Sequence, residues 1–180
     1  VGGVAVQPLA LAPYDPAASG VADPYRPPSL SHPFGTDWAG RDVFSRVLYG
    51  GRYSLSIGAI AVALALAVGV PLGALAGYAG GWVDETIMRL VDVLYAFPFL
   101  VLAIALVATF GQGFWKLVGA LVAVGWIGYA RLLRGEVLSV VEREYVLAAQ
   151  ALGVRDRHIL VRHVVPNAVA PVVVQATLNV

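Results

Sequence analysis

The sequence predicts an all-α fold, a polytopic bundle of membrane-spanning helices, and three observations carry that prediction. Of the 180 residues, 59% are hydrophobic and 13% charged, with a mean hydropathy of +0.77, too apolar for a soluble domain to cover its own surface with polar groups. The charges are segregated: residues 53–130 hold only Asp84, Glu85, Arg89, Asp92 and Lys116, whereas residues 131–163 hold six Arg and four acids. The uncharged stretches also approach or exceed the roughly 20 residues that a bilayer core demands of a helix. A net charge of +1 gives no bulk attraction to nucleic acid, and the absence of cysteine excludes disulfides, thiol nucleophiles and thiolate metal sites.

Residues 7–36 carry Pro8, Pro13, Pro16, Pro24, Pro27, Pro28 and Pro33, which deny helix and sheet a continuous run and predict an extended loop outside the membrane. In "GRDVFSRVLYGGRYS", Val43, Phe44, Val47 and Leu48 recur at helical spacing opposite Asp42, Ser45 and Arg46, as in a helix lying in the membrane interface. Residues 1–53 are therefore read as an external Pro-rich loop with an interfacial helix, and residues 54–180 as the transmembrane part.

The first span covers residues 54–79, which carry no charge. Gly69, Gly73 and Gly77 repeat every fourth residue along one helix face, admitting another helix at backbone distance. Pro71 removes a backbone donor and should bend the span; tight packing and a gating hinge are the two readings of this region. After a turn-like "YAGGWVDE", a second span covers about 93–110 with Pro98 as its kink. A third covers about 115–134, its Arg131 and Arg134 snorkelling towards headgroups, and a fourth covers 168–180. Trp82, Trp115, Trp126 and Tyr129 fall near the expected span ends, as interfacial aromatics do. The arginines at 131, 134, 143, 155, 157 and 162 place the loop between the third and fourth spans in the cytoplasm, and parity puts the Pro-rich segment outside. Arg26, Arg41, Arg46 and Arg52 there are offset by four Asp, and long loops obey the charge rule weakly.

The most unusual segment is "EYVLAAQALGVRDRHILVRHVVPN", residues 144–167. Ala148, Ala149 and Ala151 favour a helix over 144–152, which Gly153 is suited to end in a left-handed conformation. A second short helix over about 155–164 comes next, and Pro166 blocks its continuation and starts the last span. The result is a short rigid hairpin tied to a membrane helix at each end, with small residues for close docking and a charged rim to set register.

This segment resembles the EAA loop of bacterial ABC-importer permeases: an Ala-Ala core, Gly four residues after the second Ala, and a Pro about a dozen residues on. Ala148, Ala149, Gly153 and Pro166 fit that pattern; Leu147 stands where the motif has an acid, His163 where it has Ile, and Arg155 where a small capping residue is expected. "HPFGTDWAGRDVFSRVLYGGRYSL", "VDVLYAFP" and "RHVVPN" are similar to the dipeptide/oligopeptide/nickel branch, particularly its second permease subunit, so the likeness runs from His32 to the end. The resemblance implies a MetI-like fold of six spans, of which this chain would be a fragment lacking the first, most of the fifth and the sixth. It implies that loop 135–167 holds a coupling helix that docks on a cytoplasmic ATPase through Ala148, Ala149, Ala151, Leu152, Gly153, Val154, Arg155, Asp156, Arg157, His158 and Pro166. The implied partners are a homologous second permease, two cytoplasmic ATPase subunits that use ATP and Mg, an external substrate-binding protein and membrane lipid, in a bacterial inner membrane.

The remaining chemistry agrees with a non-catalytic subunit. Lys116 is the single lysine and no GxxxxGK[ST] surrounds it, so ATP hydrolysis is assigned to another polypeptide, and HExxH and GxSxG are absent. His32, His158 and His163 are too scattered for a metal cluster, and His158 and His163, five apart, should not share a helix face. Arg89 and Asp92 are read as an interfacial ion pair, with a gating or partner-contact role as the alternative. A self-sufficient secondary transporter, which would need coupling carboxylates at mid-membrane, and a non-transporting membrane scaffold are the rival readings.

Overall fold

The structure, a computed structural model, describes residues 11–111 and 113–179. The extra span expected upstream of the Pro-rich loop, the glycine and valine run at residues 1–6 and Pro8 therefore lie outside the described residues. The chain forms two compact units, Val1–Ser56 and Ile57–Val180.

In the first unit the Pro-rich segment is folded rather than extended. His32, Thr36, Asp42 and Ser45 are all buried, an unusual set of polar groups to remove from water unless each is bonded. Each is. His32 Nδ1–H donates to Asp42 Oδ1 at 3.0 Å, and the His32 ring stacks on Tyr14. Asp42 Oδ2 accepts the Ser45 N–H at 2.7 Å, which is an N-cap for the helix beginning at Val43. Thr36 Oγ1 donates to the Asp23 carbonyl at 2.6 Å and accepts from Arg26 N–H at 2.9 Å. Gly35 and Gly40 are left-handed, φ +69° and +68°, and a Cβ on either would collide with the carbonyl of Arg26 or Ala22, which is why these turns need glycine. Asp37 accepts from the Ala39 and Arg41 N–H groups and pairs with Arg41 and Arg46. Residues 43–53 are helical, as their periodicity predicts, but they are the first turns of α1 (Val43–Ala79) and not a separate interfacial element.

In the second unit α1 continues without interruption through Pro71. α2 (Gly81–Tyr95) comes directly after it, so the expected turn at "YAGGWVDE" contracts to Gly80 and Gly81, both left-handed at φ +61° and +53°. Asp84 in its first turn suits the positive end of the helix. The second span is not one kinked rod: α2 and α3 (Phe99–Phe110) meet at 82° across residues 96–98, where Pro98 serves as the N-cap of α3. A proline with no N–H and a fixed φ is tolerated there, before the first turn, and not inside it. α4 (Phe114–Val141) is the central helix and extends past the expected end at 134. Among the described residues, α1 and α4 are each long and apolar enough to cross a membrane, and two bent pairs, α2 with α3 and Asp156–Ala168 with Ala170–Leu178, pass the same test together.

α4 organises the core. Val124, Trp126, Ile127, Tyr129, Ala130, Leu133, Val137 and Val140 are buried along it, and removing one such large aliphatic side chain from water contributes about 2 kcal/mol. Trp126 and Tyr129 are thus core residues and not interfacial anchors, whereas Trp82 and Trp115 are exposed. Across from them α1 presents small residues every fourth position, Ala61, Ala65, Gly69, Gly73 and Gly77, all buried. A Cβ on Gly69 would lie 2.6 Å from the Trp126 carbonyl, one on Gly73 would meet the Ala130 backbone, and one on Gly77 would lie 2.8 Å from Val137 Cγ1. The glycines therefore set the approach of α1 to α4. Pro71 lies on the exposed side of the same helix.

Candidate coupling hairpin

Gly153 decides the local chain path of the hairpin. α5 (Glu144–Ala151) ends where Gly153 turns left-handed at φ +75°; its N–H reaches the Gln150 carbonyl and that of Val154 reaches Ala149, closing the helix and reversing the chain. Nothing lies within 4 Å of a Cβ built on Gly153, so the backbone conformation alone demands glycine there. Arg155 is extended and its carbonyl accepts the N–H groups of His158 and Ile159, opening α6 (Asp156–Ile159); its side chain makes no cap bond.

Beyond α6, contrary to the expectation from sequence, the helix neither ends nor restarts at Pro166. Leu160–Val164 form a π-turn, in which the Val165 N–H reaches back to the Leu160 carbonyl, and α7 (Val165–Ala168) carries the chain through Pro166. The widened turn lies where the proline ring would otherwise press on the carbonyl four residues back. The chain bends by 49° only at Val169, before α8 (Ala170–Leu178). The same widening brings His158 and His163 together, with ring centroids 5.9 Å apart in an edge contact, correcting the expectation that residues five apart could not meet. Two imidazoles alone do not make a metal site, and no group of three His, Cys, Asp or Glu suited to an ion occurs among the described residues.

The hairpin has two faces. Val146, Ile159 and Val164 are fully buried in the core around α4, with Ala149 and Val154 packed at its edge. Ala148, Ala151, Leu152, Gly153, Arg155, Asp156, Arg157, His158 and Pro166 are exposed, Leu152 to 83%. Of the residues the family likeness assigned to docking, Ala149 and Val154 thus hold the hairpin to its own chain. The outward rim is cationic, through Arg143, Arg155, Arg157 and Arg162, all exposed.

Ion pairs tie α2 to α4 beside the hairpin. Arg134 Nε and Nη2 donate to both oxygens of Asp84 at 2.5 Å, a bidentate pair with the Asp84 side chain only 17% exposed, and Arg131 pairs with Asp92 while lying 4.7 Å over the Tyr95 ring. The two arginines therefore do not snorkel to headgroups, and Asp92 is not paired with Arg89, whose partner is Glu85. Opposite charges at the facing ends of adjacent spans were the available signal for this clamp; pairing within one helix drew attention from it. An apolar cavity of about 660 Å³ opens above the Pro98 bend, lined by Ala61, Ala65, Tyr95, Pro98, Gly125 and Tyr129 among others. It is wide enough for a small solute, but its tyrosines and Asn179, which donates to Tyr129 Oη at 2.9 Å, give few polar groups with which to choose one.

Long apolar helices packed by a glycine stripe, joined by a charged hairpin, define a polytopic helical membrane protein. Residues 69–180, more than half of the chain, match the family described as binding-protein-dependent transport system inner membrane component, and the chain belongs to that family. It is 40% identical over 170 residues to the dipeptide transport system permease protein DppC of Bacillus subtilis, covering 94% of this chain and 53% of that protein. It is 41% identical to the oligopeptide transport system permease protein OppC of the same organism (93% and 55%), and 42% identical to the glutathione transport system permease protein GsiD of Pectobacterium atrosepticum (85% and 51%). The chain spans about half the length of these relatives.

Proposed function

We propose that the chain is part of the permease subunit of an ATP-driven importer in a bacterial inner membrane. In this reading it pairs with a second, homologous permease to form the path for a di- or oligopeptide or a related small solute, and an external binding protein delivers the solute. Two cytoplasmic ATPase subunits, using ATP and Mg, dock on the hairpin, and the chain itself catalyses no reaction. Closure of the ATPases displaces the hairpin and switches the cavity between outward and inward access, a two-state change biased by nucleotide.

The observation that carries the reading is the division of the hairpin into a fully buried inner face and an exposed outer face. Val146, Ile159 and Val164 fix it to α4, so a force applied at Leu152, Arg155 or Arg157 is passed to a membrane helix instead of being lost in a loose loop. The peptide class rests on the relatives' names, and the paucity of polar groups in the cavity supports reading of the solute elsewhere. A secondary transporter is disfavoured because Asp92, its one candidate coupling carboxylate, is paired with Arg131.

The test is recovery of the complex. Gly153→Asp, which forces a side chain into a left-handed conformation on the outer tip, should leave membrane insertion intact and reduce co-purification of ATPase subunits. Crosslinkers placed at positions 150–160 should capture an ATPase; capture of lipid or quencher alone would remove the proposal.

A further inference from the structure

We propose that Tyr78, at the end of α1, is a positioning residue that braces the hairpin through its hydrogen bond to Asp156, so that force on the hairpin moves α1 together with α4. The inference rests on the coupling function proposed for the hairpin for its consequence in transport, but the brace itself stands on the geometry.

The buried residues of the hairpin, Val146, Ile159 and Val164, belong to the core around α4. A body held along one line rocks about that line when pushed at its tip. The Tyr78 hydroxyl donates to Asp156 Oδ1 at 3.0 Å, joining residues 78 apart in sequence and adding a support off that line. Its footing is firm: Tyr78 is half-buried against the core, and Gly77 beside it sits so close to α4 that a Cβ would lie 2.9 Å from the Arg134 carbonyl and from Val137 Cβ. Tyr78 therefore cannot slide along α4 when the hairpin is loaded.

The glycine pair just beyond Tyr78 suits the same role. Gly80 and Gly81 are left-handed in succession with nothing within 4 Å of either added Cβ, so they serve the chain path and not packing. They separate α1 from α2, which is held to α4 by Asp84–Arg134 and Asp92–Arg131. The end of α1 thus has its own tie to the hairpin, independent of the α2 clamp. Asp156 is committed inward by this bond, leaving Arg155 and Arg157 to the outer face.

The experiment compares Tyr78→Phe, Asp156→Ala, Asp156→Asn and the Tyr78→Phe/Asp156→Ala double variant in the full-length protein. Tyr78→Phe removes only the hydroxyl, and Asp156→Asn keeps an acceptor oxygen. Hydrogen exchange over residues 144–160, in membranes without ATPase, should rise about five- to tenfold in Tyr78→Phe and Asp156→Ala, stay near wild type in Asp156→Asn, and rise no further in the double variant. With ATPase subunits and substrate, the two weakened variants should still recover the complex and hydrolyse ATP, while solute moved per ATP falls at least about threefold. Unchanged exchange in Tyr78→Phe, or additive effects in the double variant, would overturn the brace. A wild-type protein that recovers no ATPase would strike at the coupling function and leave exchange to decide the brace on its own.

Discussion

Replacing Gly73 with Ala separates two effects that usually travel together. In a helix interior the exchange gains about 1 kcal/mol from backbone propensity. At Gly73 the new methyl would fall against the carbonyl oxygen, carbonyl carbon and Cα of Ala130, three backbone atoms that no rotamer change can move. Forcing an extra carbon into such a site costs about 1–3 kcal/mol, here at the upper end because the neighbours cannot yield, so the net loss should be about 2 kcal/mol. Gly135, on α4, has nothing within 4 Å of an added Cβ, so Gly135→Ala should keep the propensity gain. In detergent-solubilised protein the thermal midpoint should fall by about 4–8 °C for Gly73→Ala and hold or rise by about 2–4 °C for Gly135→Ala. Gly77→Ala should fall between them, because two of its three contacts are to the movable Val137 side chain. Equal shifts for Gly73→Ala and Gly135→Ala would refute the claim that contact with α4 fixes the glycine stripe.

The two α2–α4 ion pairs should differ: Asp84→Asn should cost about 1–3 kcal/mol and Asp92→Asn about 0–1, because Arg134 and Asp84 are the more enclosed pair, and the Asp84→Arg/Arg134→Asp exchange should recover part of the loss in the same melts. Asp42→Ala removes the cap of α1 and the partner of buried His32, so limited proteolysis of residues 11–42 should accelerate, in line with a cap loss of about 1–2 kcal/mol. Acid should loosen the same region. Burial would raise the Asp37 carboxyl, but hydrogen bonds from Arg41 and Ala39 and the Arg41 charge hold it at about 2, so its contribution is complete above the unfolded value near ~3.9 and is lost as pH falls towards 2. Asp42 behaves alike: burial pushes it up, yet Ser45 and His32 hold it below the usual carboxylate value. Protease sensitivity measured between pH 5 and 2 should climb over that window, and Asp37→Asn should show heightened sensitivity already at pH 5 with a flatter profile.

Much of the second unit was legible because bilayer helices announce themselves by length and lack of charge, and Gly153 because only glycine takes a left-handed turn freely. Helix joints were harder. Pro98 reads equally as a kink or a break, and only the packing of α3 on α4 selects the 82° bend. Trp126 and Tyr129 looked interfacial because aromatics near span ends usually are; the space opposite Gly69 claims them instead. The outer loop was misjudged because proline density says what a chain cannot form, and is silent on a core built from His32, Thr36, Asp42 and Ser45. In the hairpin, composition gave the rim, but which alanine faces inward depends on helix phase, and the phase depends on a π-turn that has no sequence signature beyond the nearby proline.

That wide turn acts as a one-residue phase shifter. Downstream of it Ala168, Val172 and Ala176 recur every fourth residue and are all buried. Excising one residue from Leu160–Val164 would restore an ordinary helix and rotate everything beyond by about 100°. All three side chains would then swing off their seats, while His158 and His163 would fall four apart, a spacing suited to chelation. A single codon at this point therefore sets the angular alignment between the outward lobe and the terminal helix.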